Sequence, residues 1–140
     1  MARQATAEWK GDLFGGAGQV RLGSGAYEGG YSFSTRFGDE RGVNPEEMVG
    51  GALAACFAMA LSSSLATAGF TPVAVHTTAD VCSGKDEKGY LITRIDLTVS
   101  ADVPGVDTAT FQRLAEETRT GCIVARALLA TPITMKASLR

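Results

Sequence analysis

The sequence predicts an α+β fold. Segments with the two-residue alternation of strands open and close the 140-residue chain, and between them lies a long apolar segment with the start and stop signals of a helix. Hydrophobic residues make up 45% and charged residues 20% of the chain, the usual balance of a globular protein. No linker, repeat or low-complexity segment interrupts the chain, so we expect one domain over residues 1–140.

The first third of the chain predicts three strands that are joined by glycine-rich turns. Apolar or aromatic residues recur at every second position: Ala5, Ala7 and Trp9, then Val20 and Leu22, then Tyr31, Phe33, Thr35 and Phe37. In the third segment, Arg36 falls on the opposite, polar face. The glycines within 15–18 and 23–30 form no GxGxxG or GxxxxGK pattern, so we interpret them as hairpin turns rather than as a phosphate site.

A long helix is predicted to begin at Asn44, a good capping residue. Pro45 suits the first helical position, and Glu47 stands three residues after Asn44, as in a capping box. The helix should end near Gly69. The apolar run Met48–Leu61 has 14 residues, which is short for a membrane span of about 20 residues. We therefore expect a helix that is buried on nearly every side, and no membrane association.

The second half of the chain predicts a hairpin, two helices and a closing strand. Val73, Val75, Thr77, Ala79 and Val81 share one face of the first hairpin strand, Leu91, Thr93, Ile95, Leu97 and Val99 share one face of the second, and residues 85–89 form the loop. A helix capped by Asp107 should bury Phe111, Leu114, Ala115 and Thr118, and a short helix should run from about Cys122 to Leu129. Ile133, Met135, Ala137 and Leu139 alternate in the last strand.

Composition excludes several classes of function. The net charge is −2, from 13 basic and 15 acidic residues without a basic stripe, so we expect no nucleic-acid partner. The N-terminus lacks the apolar core of a signal peptide, which predicts a cytoplasmic protein. His76 is the only histidine and lies on the polar face of its strand, where we expect a surface or interface residue. With no C-x-x-C pair and no common ligand spacing, we expect no metal site.

Sulfur chemistry remains, because three cysteines in a cytoplasmic protein are not expected to form structural disulfides. Cys56 lies in the apolar helix, where a cysteine can also act as a small hydrophobic residue. Cys122 lies at a helix start, where the helix dipole favours the thiolate. A buried reactive thiol needs a nearby cation, for which Arg36 is the best candidate, although it could equally be a solvated arginine. Glu46 could serve only the helix dipole.

A series of short motifs follows in order along nearly the whole chain. They are Ala7-Glu8-Trp9-Lys10-Gly11-Asp12, Thr35-Arg36-Phe37, Gly42-Val43-Asn44-Pro45-Glu46-Glu47, Ala54-Ala55-Cys56-Phe57, Gly69-Phe70-Thr71-Pro72, Thr77-Thr78-Ala79-Asp80-Val81, Pro104-Gly105-Val106-Asp107 and Gly121-Cys122. Together these motifs resemble the osmotically inducible protein C (OsmC) family. The placement of Thr-Arg-Phe resembles the OsmC branch more than the sister organic hydroperoxide resistance branch.

The resemblance implies a thiol-dependent peroxidase of the oxidative stress response. It implies antiparallel sheets around a long buried central helix, in an intertwined homodimer whose active sites lie at the interface. Carried over residue by residue, Cys56 is the peroxidatic and Cys122 the resolving cysteine, Arg36 activates the thiolate and Glu46 orients Arg36. No such role is expected for the third cysteine, Cys82.

The implied cycle reduces an organic hydroperoxide to an alcohol through a Cys56 sulfenic acid and a Cys56–Cys122 disulfide. A dithiol, such as a lipoyl-bearing protein, reduces the disulfide, and no cofactor, metal or flavin is required. Apolar residues near Cys56, including Phe57, Met59 and Phe33, should favour alkyl or lipid hydroperoxides. The chain departs from the family pattern after the resolving cysteine, where Ile123 replaces a usual proline and Ala125 a frequent serine. Both changes weaken the pre-organisation of that helix start.

Spacing adds one inference from the residues themselves. Glu46 and Cys56 are ten residues apart on one helix, so they are separated by about 15 Å along its axis. An Arg36–Glu46 pair that touches Cys56 of the same chain is therefore awkward, which favours a site shared by two subunits. Three alternatives remain open: a non-enzymatic redox sensor or stress-response binding protein, buried cysteines with only a packing role, and chemistry on another electrophile.

Overall fold

Six strands and four helices follow one another in the computed structural model, which describes residues 1–140. In chain order they are β1 (Ala5–Lys10), β2 (Ala17–Leu22), β3 (Glu28–Ser32), α1 (Phe33–Phe37), α2 (Pro45–Thr67), β4 (Ala74–Asp86), β5 (Gly89–Asp102), α3 (Thr108–Gly121), α4 (Ile123–Ala127) and β6 (Ile133–Leu139). The chain divides into two units, Met1–Met48 and Val49–Arg140. The α+β class predicted from the sequence is confirmed.

The first unit contains an antiparallel meander in the order β1-β2-β3. The predicted first and second strands are confirmed, but the third strand is shorter than the sequence predicted. It ends at Ser32, and Phe33–Phe37 form the helix α1, so that Arg36 lies on a helix and not on the polar face of a strand.

A reciprocal cap explains why the chain turns into a helix at this point. The Ser32 hydroxyl accepts a hydrogen bond from the Thr35 backbone N–H at 3.2 Å, and the Thr35 hydroxyl accepts one from the Ser32 N–H at 2.9 Å. This capping box satisfies two backbone donors that a helix start would otherwise leave free. The Thr35 hydroxyl also donates to the Val43 carbonyl at 2.9 Å, which fastens α1 to the segment that precedes α2.

The predicted limits of the long helix α2 are confirmed. The Asn44 side-chain oxygen accepts hydrogen bonds from the backbone N–H groups of Glu46 (2.9 Å) and Glu47 (3.2 Å), as an N-cap does. At the other end, Gly69 has a positive φ of 92°, and Phe70 N–H donates to the Leu65 carbonyl at 2.9 Å. This pattern closes the helix with its last carbonyl groups satisfied.

The prediction that α2 is buried on nearly every side is wrong for the single chain. One stripe at four-residue spacing, Leu53, Phe57, Leu61 and Leu65, is fully buried. The opposite stripe, Ala52, Ala55, Met59, Ser63 and Ala66, is exposed, and Met59 keeps 76% of its surface accessible. The helix is apolar all round, but the chain covers only one side of it.

Two adjacent glycines lie on different sides of α2. A Cβ atom at Gly50 would come within 2.9 Å of the Val81 side chain and 3.2 Å of the Ala79 carbonyl, so Gly50 lets the helix approach β4 closely. A Cβ atom at Gly51 would meet no atom within 4 Å. Gly51 therefore borders the side of the helix that the chain leaves open.

By length and composition alone, α2 could also cross a membrane, with 28% of its most apolar window buried. One helix of this kind is weak support for a membrane location, because core helices of water-soluble proteins share these properties. The apolar run Met48–Leu61 covers only part of this helix, which has 23 residues and is therefore long enough to span a membrane.

The second unit contains a sheet in the order β4-β5-β6. β4 and β5 form the predicted antiparallel hairpin, whose strands extend to Asp86 and Gly89 and so shorten the predicted loop. β6, in contrast, pairs with β5 in parallel, so the expectation of purely antiparallel sheets is wrong. The reason is the connection: α3 and α4 cross over between the two strands and return the chain in the same direction.

The core of the second unit lies between the buried stripe of α2, one face of β5 and the inner face of α3. Ile95, Leu97, Val99 and Ala101 supply the strand face, and Phe111, Leu114, Ala115 and Thr118 supply the α3 face, as predicted. Cys122 and Ala125, from the α3–α4 junction, complete this core. The junction is therefore held by packing as well as by hydrogen bonds.

Candidate functional site

Arg36 and Glu46 form a close ion pair in the first unit. Arg36 Nη2 lies 2.6 Å and Nε 3.0 Å from Glu46 Oε1, and Nε lies 3.3 Å from Oε2. The Arg36 side chain is 40% exposed and that of Glu46 20%. Because two guanidinium nitrogens bind one carboxylate, the pair fixes the direction of the guanidinium as well as its distance.

Asn44 connects the two members of this pair, a role that sequence analysis missed. Its side-chain oxygen caps α2 at the N–H of Glu46, and its side-chain nitrogen donates to the Arg36 carbonyl at 3.2 Å. One residue therefore fixes the backbone of Arg36 against the helix start that carries Glu46. The sequence pattern Asn-Pro-Glu indicates the cap of α2. A cap uses only the oxygen of the asparagine amide, so this pattern does not reveal the second contact, which the amide nitrogen makes.

The ion pair lowers the pKa of Glu46. Partial burial is the largest single influence and would raise the pKa of this carboxyl. The hydrogen bond from Arg36, the backbone N–H of Glu46 itself and the positive charge of Arg36 together outweigh it. Glu46 is therefore ionised at neutral pH and keeps Arg36 in place.

Two reduced cysteines meet in the second unit. Cys56, on α2, is half-buried beside the core stripe, and Cys122 is 4% exposed at the α3–α4 junction. The Cys122 Sγ caps α4 by accepting the Ala125 N–H at 3.4 Å, and the Cys56 side chain lies close enough to raise the pKa of the Cys122 thiol. The structure thus brings together the two thiols that the sequence singled out.

The Cys122 thiol has a raised pKa, which corrects the expectation that its helix start would favour the thiolate. Burial is the main cause, and the neighbouring Cys56 raises the pKa further. The hydrogen bond from Ala125 N–H acts in the opposite direction but is outweighed. α4 has only five residues, so its dipole is small beside the cost of a buried charge. Cys122 is therefore a protonated thiol at neutral pH.

The third cysteine lies apart from this pair, on the opposite face of the sheet from the core. Cys82 is half-buried, and its Sγ lies 3.7 Å from Asp96 Oδ2, a carboxylate that also accepts hydrogen bonds from Arg94 and Thr134. His76 is exposed, as expected for a surface residue. No group of three or more His, Cys, Asp or Glu side chains is arranged to hold a metal ion.

Two expectations about the apolar surroundings of Cys56 have different outcomes. Phe57 is fully buried in the core, so it is not available to a substrate, and this expectation is wrong. Met59 is 76% exposed and Phe33 is partly exposed, so both are accessible. The alternation of side chains around a helix explains the result, because Phe57 points along the stripe of Leu53 and Leu61.

The chain thus combines an α+β fold, two sheets and a long central helix with two neighbouring free cysteines. Residues 38–138 match the family of OsmC-like proteins. Peroxiredoxin OsmC of Escherichia coli K12 is 45% identical over 129 residues, which cover 91% of this chain and 90% of that protein. The chain belongs to the OsmC family, as the sequence motifs predicted.

Solved structures share the fold at much lower identity. An OsmC-like protein from Vibrio cholerae O1 biovar eltor has a TM-score of 0.80 at 18% identity over 99% of each chain. The organic hydroperoxide resistance protein OhrB of Bacillus subtilis has a TM-score of 0.72 at 20% identity over 98% of each chain. Both likenesses establish the fold of the whole chain.

Proposed function

We propose that this chain is a thiol-dependent peroxidase that reduces organic hydroperoxides to alcohols. The observation that carries the proposal is the adjacency of two reduced thiols, half-buried Cys56 and buried Cys122, in a relative of a peroxiredoxin. The different burial of the two thiols suits different roles. The more accessible Cys56 can react with the substrate, whereas the buried, protonated Cys122 reacts only in the later step that forms the disulfide. We infer a cytoplasmic location, where a dithiol such as a protein-bound lipoyl group can act as reductant.

In the proposed cycle, the Cys56 thiolate attacks the terminal oxygen of the hydroperoxide. The O–O bond breaks, the alkoxide takes up a proton and leaves as an alcohol, and Cys56 becomes a sulfenic acid. Cys122 then attacks this sulfur, its proton and the hydroxyl leave as water, and a disulfide forms. A dithiol returns both cysteines to thiols by two exchange steps, becoming a disulfide itself. The side chains need no metal or flavin for any of these steps.

Arg36, oriented by Glu46, is the proposed cation that stabilises the Cys56 thiolate and the charge that develops on the peroxide. Glu46 and Cys56 are ten residues apart on the continuous helix α2, about 15 Å along its axis. We infer that the Arg36–Glu46 pair of one chain serves Cys56 of a second chain. The active site is then complete only in a homodimer.

The exposed side of α2 supports this homodimer. Ala52, Ala55 and Ala66 are small, and a second helix can approach such a surface closely, while Met59 adds a flexible apolar contact. An apolar helix side of this size is rarely left to water. A second copy of the chain, packed along α2, would bury it.

Two variants test both the activity and the shared site. Cys56→Ser should abolish turnover of cumene hydroperoxide in the presence of a dithiol, and Arg36→Ala should reduce it strongly. Co-expression of the two variants should restore about a quarter of the parent activity, because half of randomly paired dimers are mixed and one of their two sites is complete. A site within one chain would give no restoration. A parent that turns over no hydroperoxide contradicts the proposed function itself.

A further inference from the structure

One residue, Cys122, holds the junction between α3 and α4 on both sides. Its backbone N–H donates to the Thr118 carbonyl at 3.1 Å and so closes α3. Its Sγ accepts the Ala125 N–H at 3.4 Å and so caps the start of α4. The side chain that the proposed cycle oxidises is therefore also the cap of a helix.

The helix α4 depends on this cap more than a long helix would. Its five residues are far fewer than the roughly 12 that an isolated helix needs for marginal stability in water. Cysteine is not among the usual N-cap residues, because a thiol sulfur is a weak hydrogen-bond acceptor. The first position of α4 is Ile123, where a proline would have fixed the backbone dihedral angle φ for the helix.

Few contacts with the core oppose a movement of α4. Of its five residues only Ala125 is buried. The side chains of Ile123 and of Leu129, just beyond the helix, keep 79% and 81% of their surface exposed. A short segment that buries little apolar surface can open locally at a low cost in free energy. Because the buried Cys122 lies at the base of this segment, an open α4 exposes its sulfur.

We propose that Cys122 makes α4 a redox-sensitive latch, closed while this cysteine is a thiol and released when it forms the disulfide with Cys56. A disulfide fixes the distance and the torsion angles between its two sulfur atoms. The Cys122 sulfur is then placed by Cys56, on α2, and no longer by the start of α4, so the Ala125 N–H loses its acceptor. This inference rests on the proposed function, because the proposed cycle supplies the disulfide.

The latch reconciles two opposite requirements of the proposed cycle. In the reduced protein, a buried Cys122 is held ready for the sulfenic acid on Cys56. In the oxidised protein, a dithiol must reach the sulfur that it attacks, and release of α4 exposes that of Cys122. Cys56 is the better leaving group, because Arg36 is proposed to stabilise its thiolate. The first thiol of the reductant therefore bonds to Cys122 while Cys56 leaves as a thiolate, and the second thiol releases Cys122 as the reductant becomes a disulfide.

Hydrogen–deuterium exchange of residues 123–130, measured by mass spectrometry, tests the latch. The disulfide is formed with diamide as well as with cumene hydroperoxide, so that the oxidised state does not depend on peroxidase activity. In the parent, these amides should exchange about fivefold faster in the oxidised than in the reduced protein, the effect of losing a typical helix cap. Cys122→Ser keeps a capping oxygen but forms no disulfide with Cys56, so neither oxidant should change its exchange. Equal exchange in the reduced and oxidised parent would overturn the proposal.

A proline at the first position of α4 tests whether release admits the reductant. The ψ of 149° at Cys122 suits a residue that precedes proline, so Ile123→Pro fits the closed α4 and favours it. Dihydrolipoamide should reduce the diamide-formed disulfide of this variant about two- to fivefold more slowly than that of the parent, the effect of a compatible proline on a folding equilibrium. Ile123→Ala removes the same exposed side chain without fixing the backbone, and it is the matched control. Equal reduction rates in Ile123→Pro and Ile123→Ala would contradict the assignment of α4 as the barrier to the reductant.

Failure of the proposed function gives a different result. A parent that diamide oxidises but cumene hydroperoxide does not would contradict the peroxidase, while the exchange of its α4 amides would still decide whether the latch exists. A parent in which diamide forms no Cys56–Cys122 disulfide would contradict both.

Discussion

Neutralising Glu46 tests how the site positions its cation. In Glu46→Gln, the amide keeps the shape of the side chain but loses the charge that binds two nitrogens of Arg36 at 2.6 and 3.0 Å. Charge-assisted hydrogen bonds contribute about 1.5–3 kcal/mol when protected, and exposed ion pairs about 0.2–1 kcal/mol. Because the Arg36 side chain is 40% and that of Glu46 20% exposed, we expect Glu46→Gln to lose interaction free energy near the boundary between these two ranges.

A loss of about 1 kcal/mol corresponds to about a fivefold lower kcat/KM for cumene hydroperoxide. The matched control is Glu47→Gln, which also removes one negative charge from the first turn of α2. The backbone N–H of Glu47, like that of Glu46, is bound by Asn44, but the Glu47 side chain forms no ion pair with Arg36. The assay measures initial rates with limiting hydroperoxide and saturating dithiol. Equal rates in the two variants would refute the role of Glu46 in orienting Arg36.

The pH dependence of the same variants gives an independent measure. The pKa of Glu46 is lowered in the folded protein, so the ion pair is fully present above the ordinary carboxyl range and is lost as the pH falls through the lowered value. The parent should therefore lose activity at acidic pH along a limb that Glu46→Gln lacks. Glu47→Gln should retain this limb.

Two further predictions follow from the contacts of single residues. Asn44→Asp keeps the cap of α2 but loses the donor to the Arg36 carbonyl, so it should unfold in urea like the parent but have lower peroxidase activity. Asn44→Ala should lose activity and also about 1 kcal/mol of stability, because it removes the cap. Equal activity of Asn44→Asp and the parent would contradict this prediction. The pKa of Cys122 is raised, so its contribution to stability is present below the ordinary thiol pKa and is lost as the pH rises through the raised value. In urea titrations, the reduced parent should therefore lose more stability than Cys122→Ser between pH 7 and about 10. Equal losses of stability in the two proteins would contradict this prediction.

Local signals predicted the helices α2, α3 and α4, but not α1. Asn44, Pro45 and Gly69 act through bonds to residues within a few positions, so they set the limits of α2 whatever surrounds it. The third strand was misassigned for the same local reason. Phe33 and Phe37 satisfy both a two-residue and a four-residue spacing, and only the Ser32–Thr35 cap decides for the helix.

Features that depend on tertiary structure could not be predicted in this way. The parallel pairing of β6 follows from the crossover through α3 and α4, and the raised pKa of Cys122 follows from burial that sequence position does not reveal. The apolar composition of α2 indicated that it must be covered, but composition does not say by which chain. The pairing of Cys56 with Cys122 was available only from the family resemblance.

The most direct test of the proposed cycle is the intact mass of the reduced protein after one equivalent of cumene hydroperoxide. The parent should lose about two mass units as the Cys56–Cys122 disulfide forms, and Cys122→Ser should gain about 16 as a sulfenic acid on Cys56. Cys56→Ser should not react. A parent of unchanged mass, or a Cys56→Ser variant that reacts like the parent, would contradict the two-cysteine peroxidase.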